Sequence, residues 1–211
     1  MGGHEGQRIV TMGPPVGQGK GVVVMVHGRG AAPENILDLV PRLDRPEFSY
    51  VAPAAANNTW YPYSFMADTT DNEPWLSSAL GMLQTLVEGV LSNGIPRSRI
   101  MLLGFSQGAC LTCEFAVRNA ARYGGVIAYT GGLIGPPGTT WNSDGSFDGT
   151  PIFLGCSDVD PHVPKSRVDE SAAVFTRMGA AVIERIYPGM GHIVNEDEIS
   201  FTQTLLDTLI Q

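Results

Sequence analysis

The amino-acid sequence predicts an α/β protein whose central, mainly parallel sheet carries helices on both faces. Three observations carry that expectation. Uninterrupted apolar runs rich in β-branched residues recur along the chain, as in GVVVMVH (21–27) and RIMLLGF (99–105). Such runs suit strands buried on both sides. Stretches with helical spacing stand between them, and connections of that length cross over to a parallel neighbour rather than turn back. The irregular stretches at 57–73 and 131–150 both leave strand ends, where open parallel sheets bind ligands.

Taken in order, 21–27 is the first strand, and 32–43 is a helix through Ile36, Leu37, Leu39, Val40 and Leu43. A short strand follows at 48–54, then the aromatic-rich segment 57–73 with Trp60, Tyr61, Tyr63 and Phe65. Pro74 opens a helix that Asn93-Gly94 stops. The strand 99–105 passes directly into a helix over 107–120, and further strands are expected at 125–129, 151–155 and 181–187. Helices fill 164–178 and 195–210, the latter with Asn195 as N-cap and Glu198 completing an approximate capping box. The expectation is six strands in a single domain spanning 1–211, preceded by a glycine-rich start in which His4 frays.

The chain has 211 residues, 43% of them hydrophobic and 16% charged, which excludes global disorder. A net charge of −8 argues against nucleic acid, whose phosphates it would repel. No apolar run approaches the roughly 20 residues of a membrane span, and the start shows neither a secretory pattern nor a myristoylation motif. Three cysteines, Cys110, Cys113 and Cys156, suit free thiols in a reducing, cytoplasmic setting. The Cys110/Cys113 pair lies within a helix, and two ligands cannot close a zinc site, so both read as small buried side chains.

The sharpest local signal is Gly104-Phe105-Ser106-Gln107-Gly108, set between an apolar strand and a helix, the context of a nucleophile elbow. A serine nucleophile requires a base, usually a histidine oriented by a carboxylate. Of the four histidines, His192 lies in a glycine-rich loop (188–192) between the last strand and the last helix. His27 ends the first strand and is expected to shape the loop after it. Asp158 and Asp160 both qualify as the acid by location. Asp160 is preferred because Pro161 and Pro164 would lock the backbone around it, leaving Asp158 to cap its own turn. Two backbone donors for an oxyanion would come from Gln107 and from Arg29 in the His27–Gly30 loop. The Arg29 side chain is read as either solvated or touching substrate. Trp60, Tyr61, Phe65 and Met190, with Tyr63, are candidates for the substrate pocket, packing of a long loop being the other reading.

These motifs together, HGRG (27–30), GFSQGA (104–109), DPHVP (160–164) and GH (191–192), resemble the phospholipase/carboxylesterase family of small α/β-hydrolases. The resemblance implies an α/β-hydrolase fold without a separate cap domain and a triad of Ser106, Asp160 and His192. It also implies oxyanion amides from Arg29 and Gln107, and no metal or organic cofactor. Segment 58–68 departs from the acyl-protein thioesterases in this group, and its aromatics suit a compact pocket, so a small or medium carboxylic ester is favoured. Thioester, lysophospholipid or peroxide chemistry on the same triad, and a non-catalytic binding protein on the same scaffold, are the rival readings. A homodimer is left open.

Overall fold

The computed structural model describes residues 3–141 and 145–210. Parts of the expected 131–150 loop and of the N-terminal start, residues 142–144 and 1–2, lie outside them. Seven strands form one sheet: β1 (Ile9–Met12), β2 (Val22–Val26), β3 (Ser49–Pro53), β4 (Ile100–Phe105), β5 (Gly125–Tyr129), β6 (Pro151–Ser157) and β7 (Ala181–Tyr187). Their order is β1-β3-β2-β4-β5-β6-β7. Every pairing is parallel except β1 with β3.

The two-residue period of the strands divides the core. Val22, Val24 and Val26 face one layer with Ile100, Leu102, Val126 and Ile152. That layer is covered by α3 (Trp75–Ser92), α4 (Gln107–Arg118) and α5 (Lys165–Arg177). Val23 and Met25 face the other with Met101, Leu103 and Ile127, beneath α1 (Pro33–Leu37), α2 (Val40–Leu43) and α6 (Glu196–Ile210). Both faces being buried is why these strands read as continuous apolar runs.

Three expectations change. Residues 32–43 form two short helices: Pro41 lacks the N–H that would extend the first, and it sits in the first turn of the second, where that N–H has no helical partner. The N-terminal residues add the antiparallel edge strand β1, whose four-residue Ile-Val-Thr-Met run is apolar but short and mostly exposed. His4 is not frayed. It is fully buried, donating from Nε2 to the Trp60 carbonyl (2.9 Å) and accepting at Nδ1 from the Ala56 N–H (3.0 Å). The loop after β5 is also held down: buried Arg167 donates to the carbonyls of Leu133 and Gly135, and Glu114 accepts from the Ile134 N–H.

Candidate active site

Ser106 sits between β4 and α4 with φ 55° and ψ −122°, a strained conformation for a residue with a side chain. Its surroundings impose it. The Ser106 N–H donates to Tyr129 O of β5 and the Ser106 carbonyl accepts from the Cys110 N–H. A methyl group on Gly104 would stand 2.4 Å from Gly108 O, and one on Gly108 would stand 2.1 Å from Val26 O. Both flanking glycines are therefore dictated by backbone contact.

The loops after β7 and β6 bring the other residues to Ser106. His192 Nε2 lies 2.8 Å from Ser106 Oγ, and His192 Nδ1 lies 2.7 Å from Asp160 Oδ2. The Asp160 side chain is fully buried, and its Oδ1 accepts from the N–H groups of His162 and Val163, 2.9 Å each. Burial pushes this carboxyl up, but the bonds from His192, His162 and Val163 outweigh it and hold it below its ordinary range. With the carboxylate fixed as acceptor, Nδ1 carries the proton and Nε2 is free to accept from the serine hydroxyl. Asp158 does not cap its own turn. It accepts from the Gly189 N–H (2.8 Å) and thereby ties the loop that carries His192.

Below that loop, α6 begins with the expected capping box. Asn195 Oδ1 accepts from the Glu198 N–H, and Glu198 Oε2 accepts from the Asn195 N–H, each at 2.9 Å. Glu198 is buried with Oε1 unpaired, and burial raises its carboxyl to about 7.

The loop after β2 brings Gly28 against Ser106; a methyl on Gly28 would touch Ser106 Cβ at 3.4 Å. The N–H groups of Gly30 and Ala31 donate to Asn58 O and Gly28 O. Gln107 is the first residue of α4, where a backbone N–H has no intrahelical acceptor. His27 shapes its loop as expected, with Nδ1 donating to Gly28 O and Nε2 accepting from the Ala55 N–H.

A cavity of about 500 Å³ opens over Ser106, lined by Tyr61, Tyr63, Phe65, Gln107, Cys110 and Val163 among others. Two of the expected pocket residues lie elsewhere. Trp60 is fully buried beneath the loop, where its indole N–H donates to His27 O (2.8 Å). Met190 is turned toward α6, its sulfur accepting from Asn195 Nδ2. Side-chain direction in a loop without period cannot be read from residue type.

The sequence reading also missed what the Gln107 and Arg29 side chains do. Gln107 accepts from the Trp60 N–H and donates to Tyr61 O. Arg29 is exposed and lines the cavity, and its guanidinium donates to the carbonyls of Tyr61, Pro62 and Tyr63 at 2.7–2.9 Å. The two residues placed as backbone donors thus clamp the cavity wall with their side chains. Their own polarity was the available signal, since a five-donor fork suits a curl of carbonyls.

A sequence profile of the phospholipase/carboxylesterase family matches residues 9–210. The chain belongs to this family. A crystal structure of a phospholipase/carboxylesterase from Dyadobacter fermentans is 45% identical, covers 100% of this chain and 99% of its own, and superposes with a TM-score of 0.92. Acyl-protein thioesterase 1 of Eremothecium gossypii is 28% identical over 74% of this chain and 72% of its own length. The Bacillus cereus carboxylesterase, at 16% identity and a TM-score of 0.77, shares the fold over 97% of this chain and 95% of its own. The chain is accordingly a serine hydrolase of the α/β-hydrolase fold, from a family acting on ester and thioester bonds. Among the described residues, no helix is long and apolar enough to cross a membrane.

Proposed function

We propose that this chain is a carboxylesterase that hydrolyses small or medium carboxylic esters through an acyl-enzyme on Ser106. The observation that carries the reading is the continuous hydrogen-bonded line from Asp160 through His192 to Ser106, at 2.7 and 2.8 Å. His192 Nε2 takes the hydroxyl proton as Oγ attacks the carbonyl carbon. The oxyanion is held by the Arg29 and Gln107 amides, each contributing about 3 kcal/mol of transition-state stabilisation. His192 returns the proton to the leaving alkoxide, and water cleaves the acyl-enzyme by the same route. Asp160 keeps the imidazole in the productive tautomer. The compact aromatic wall of the cavity, Tyr61, Tyr63 and Phe65, supports a short or medium acyl group.

The test is turnover of p-nitrophenyl esters of increasing acyl length beside an acyl-thioester, with fluorophosphonate labelling. The expected result is stoichiometric labelling of Ser106, and loss of at least about a thousandfold in kcat for Ser106→Ala. Tight ligand binding at an inert Ser106 would instead identify a binding protein on this scaffold. A second reading, acyl-thioesterase, is favoured by the similarity to the acyl-protein thioesterases. A higher kcat/KM for the thioester than for the oxygen ester of the same acyl group would establish it.

A further inference from the structure

A second cavity also borders His192. It measures about 340 Å³ and is walled by Ile36, Leu39, Phe105, Ile193 and Val194. That is within the range of roughly 300–1,000 Å³ that small-molecule sites occupy. Ser106 and Gln107 line the first cavity, and of the Ser106, Asp160 and His192 set only His192 lines both, among the described residues. The imidazole is common to both linings. Phe105, from the second cavity, lies against it at 5.1 Å between ring centroids, and His162, from the first, at 5.0 Å.

We propose that this second cavity is the leaving-group subsite, and that it selects esters of apolar alcohols. The inference rests on the reading of Ser106 as the acylated residue. The acyl group stays bonded to Ser106 Oγ between the two half-reactions, so it occupies the cavity that Ser106 and Gln107 line. When the tetrahedral intermediate collapses, the carbonyl re-forms and the bond from carbon to the alkoxy oxygen breaks. That oxygen takes the proton held on His192 Nε2, so its substituent passes the imidazole, toward the second cavity. The walls there are mostly hydrocarbon, with His27, Asn35 and Arg42 as the polar members besides His192. Ile36 is buried, while Ile193, on the same loop as His192, is 56% exposed and lines the cavity. Arg42, which pairs with Glu196, is also part of the lining. By microscopic reversibility, the same cavity would also receive an alcohol as acyl acceptor: its oxygen attacks the acyl-enzyme, His192 takes its proton, and Ser106 leaves as the hydroxyl.

The test separates the two ends of the ester. Acetates of methanol, butan-1-ol and hexan-1-ol are compared with methyl esters of acetic, butyric and hexanoic acid, for wild type, Ile193→Ser and Leu39→Ser. Burying one methylene favours binding by about threefold to fourfold, so kcat/KM is expected to rise at least about tenfold from methyl to hexyl acetate in wild type. Both variants should flatten the alcohol series while keeping the slope of the acyl series. In acyl transfer from p-nitrophenyl acetate, wild type should form more hexyl than methyl acetate at equal alcohol concentrations, and Ile193→Ser should abolish the preference. Should Leu39→Ser fail to fold, as a melting curve would show, Ile193→Ser on its exposed loop decides alone. A flat alcohol series in wild type, or variants that flatten the acyl series instead, would overturn the subsite while leaving the esterase reading intact. No labelling of Ser106 and no ester turnover would overturn both.

Discussion

Ser106 concentrates the local strain of the site. A serine at φ 55° is held there by β5, by α4 and by two glycines that admit no side chain. Such backbone typically costs about 1–3 kcal/mol. Glycine adopts it freely, so Ser106→Gly should melt above Ser106→Ala, by roughly 2–4 °C for each kcal/mol relieved in a chain of this size. Equal melting temperatures would show that the turn is not strained. The two aspartates separate at the same scale. Asp160→Asn removes the charge and disturbs the tautomer of His192, and a loss in kcat of about 10⁴ is expected. Asp158→Asn keeps an acceptor for the Gly189 N–H and should cost far less; the reverse ranking would reassign the acid.

At the scale of elements, the wall of the first cavity is a loop held by side chains from two other segments. Arg29 binds three of its carbonyls and Gln107 binds both Trp60 N–H and Tyr61 O. Arg29→Lys preserves the charge and the backbone amide but loses the fork. The expected result is a rise in KM of about threefold to tenfold with kcat little changed, and faster proteolytic cutting within 57–72; each lost bond is worth about 1 kcal/mol at this partly exposed position. A fall in kcat with KM constant would mean that the side chain acts on the transition state instead.

The same elements show what the sequence made legible. β2, β4 and β5 were plain because burial on both faces leaves only apolar residues, and Ser106 because strand, glycines and helix coincide in one short motif. Asp160 and His192 were found by their chain order and loop chemistry. β1 stayed hidden because four residues, apolar yet mostly exposed, are too few to show a strand period. Trp60 was misplaced because aromatics line cavities and fill cores equally well, and only the fold decides which.

Across the whole molecule, proton linkage runs in two opposing directions. Burial holds His4 and His27 below the ordinary value of 6.5, and in each a ring nitrogen accepts from a backbone N–H. The unfolded chain therefore binds protons that the folded one refuses, and stability falls as pH drops below 6.5. Glu198 has the opposite sign. Its folded carboxyl titrates at about 7 against an ordinary 4.5, so the stability of its protonated form fades as pH rises through that window. Glu198→Gln keeps the capping acceptor without the charge, and its melting temperature should gain on wild type steadily between pH 4.5 and 7.5. A difference independent of pH would mean that Glu198 is ionised throughout.

His4 has a further meaning for how this enzyme could diversify. Residues ahead of the first strand reach across to Trp60 and Ala56 and brace the back of the loop whose front lines the cavity over Ser106. Swapping that leading segment between relatives would reshape this wall while Ser106, Asp160 and His192 stay where they are.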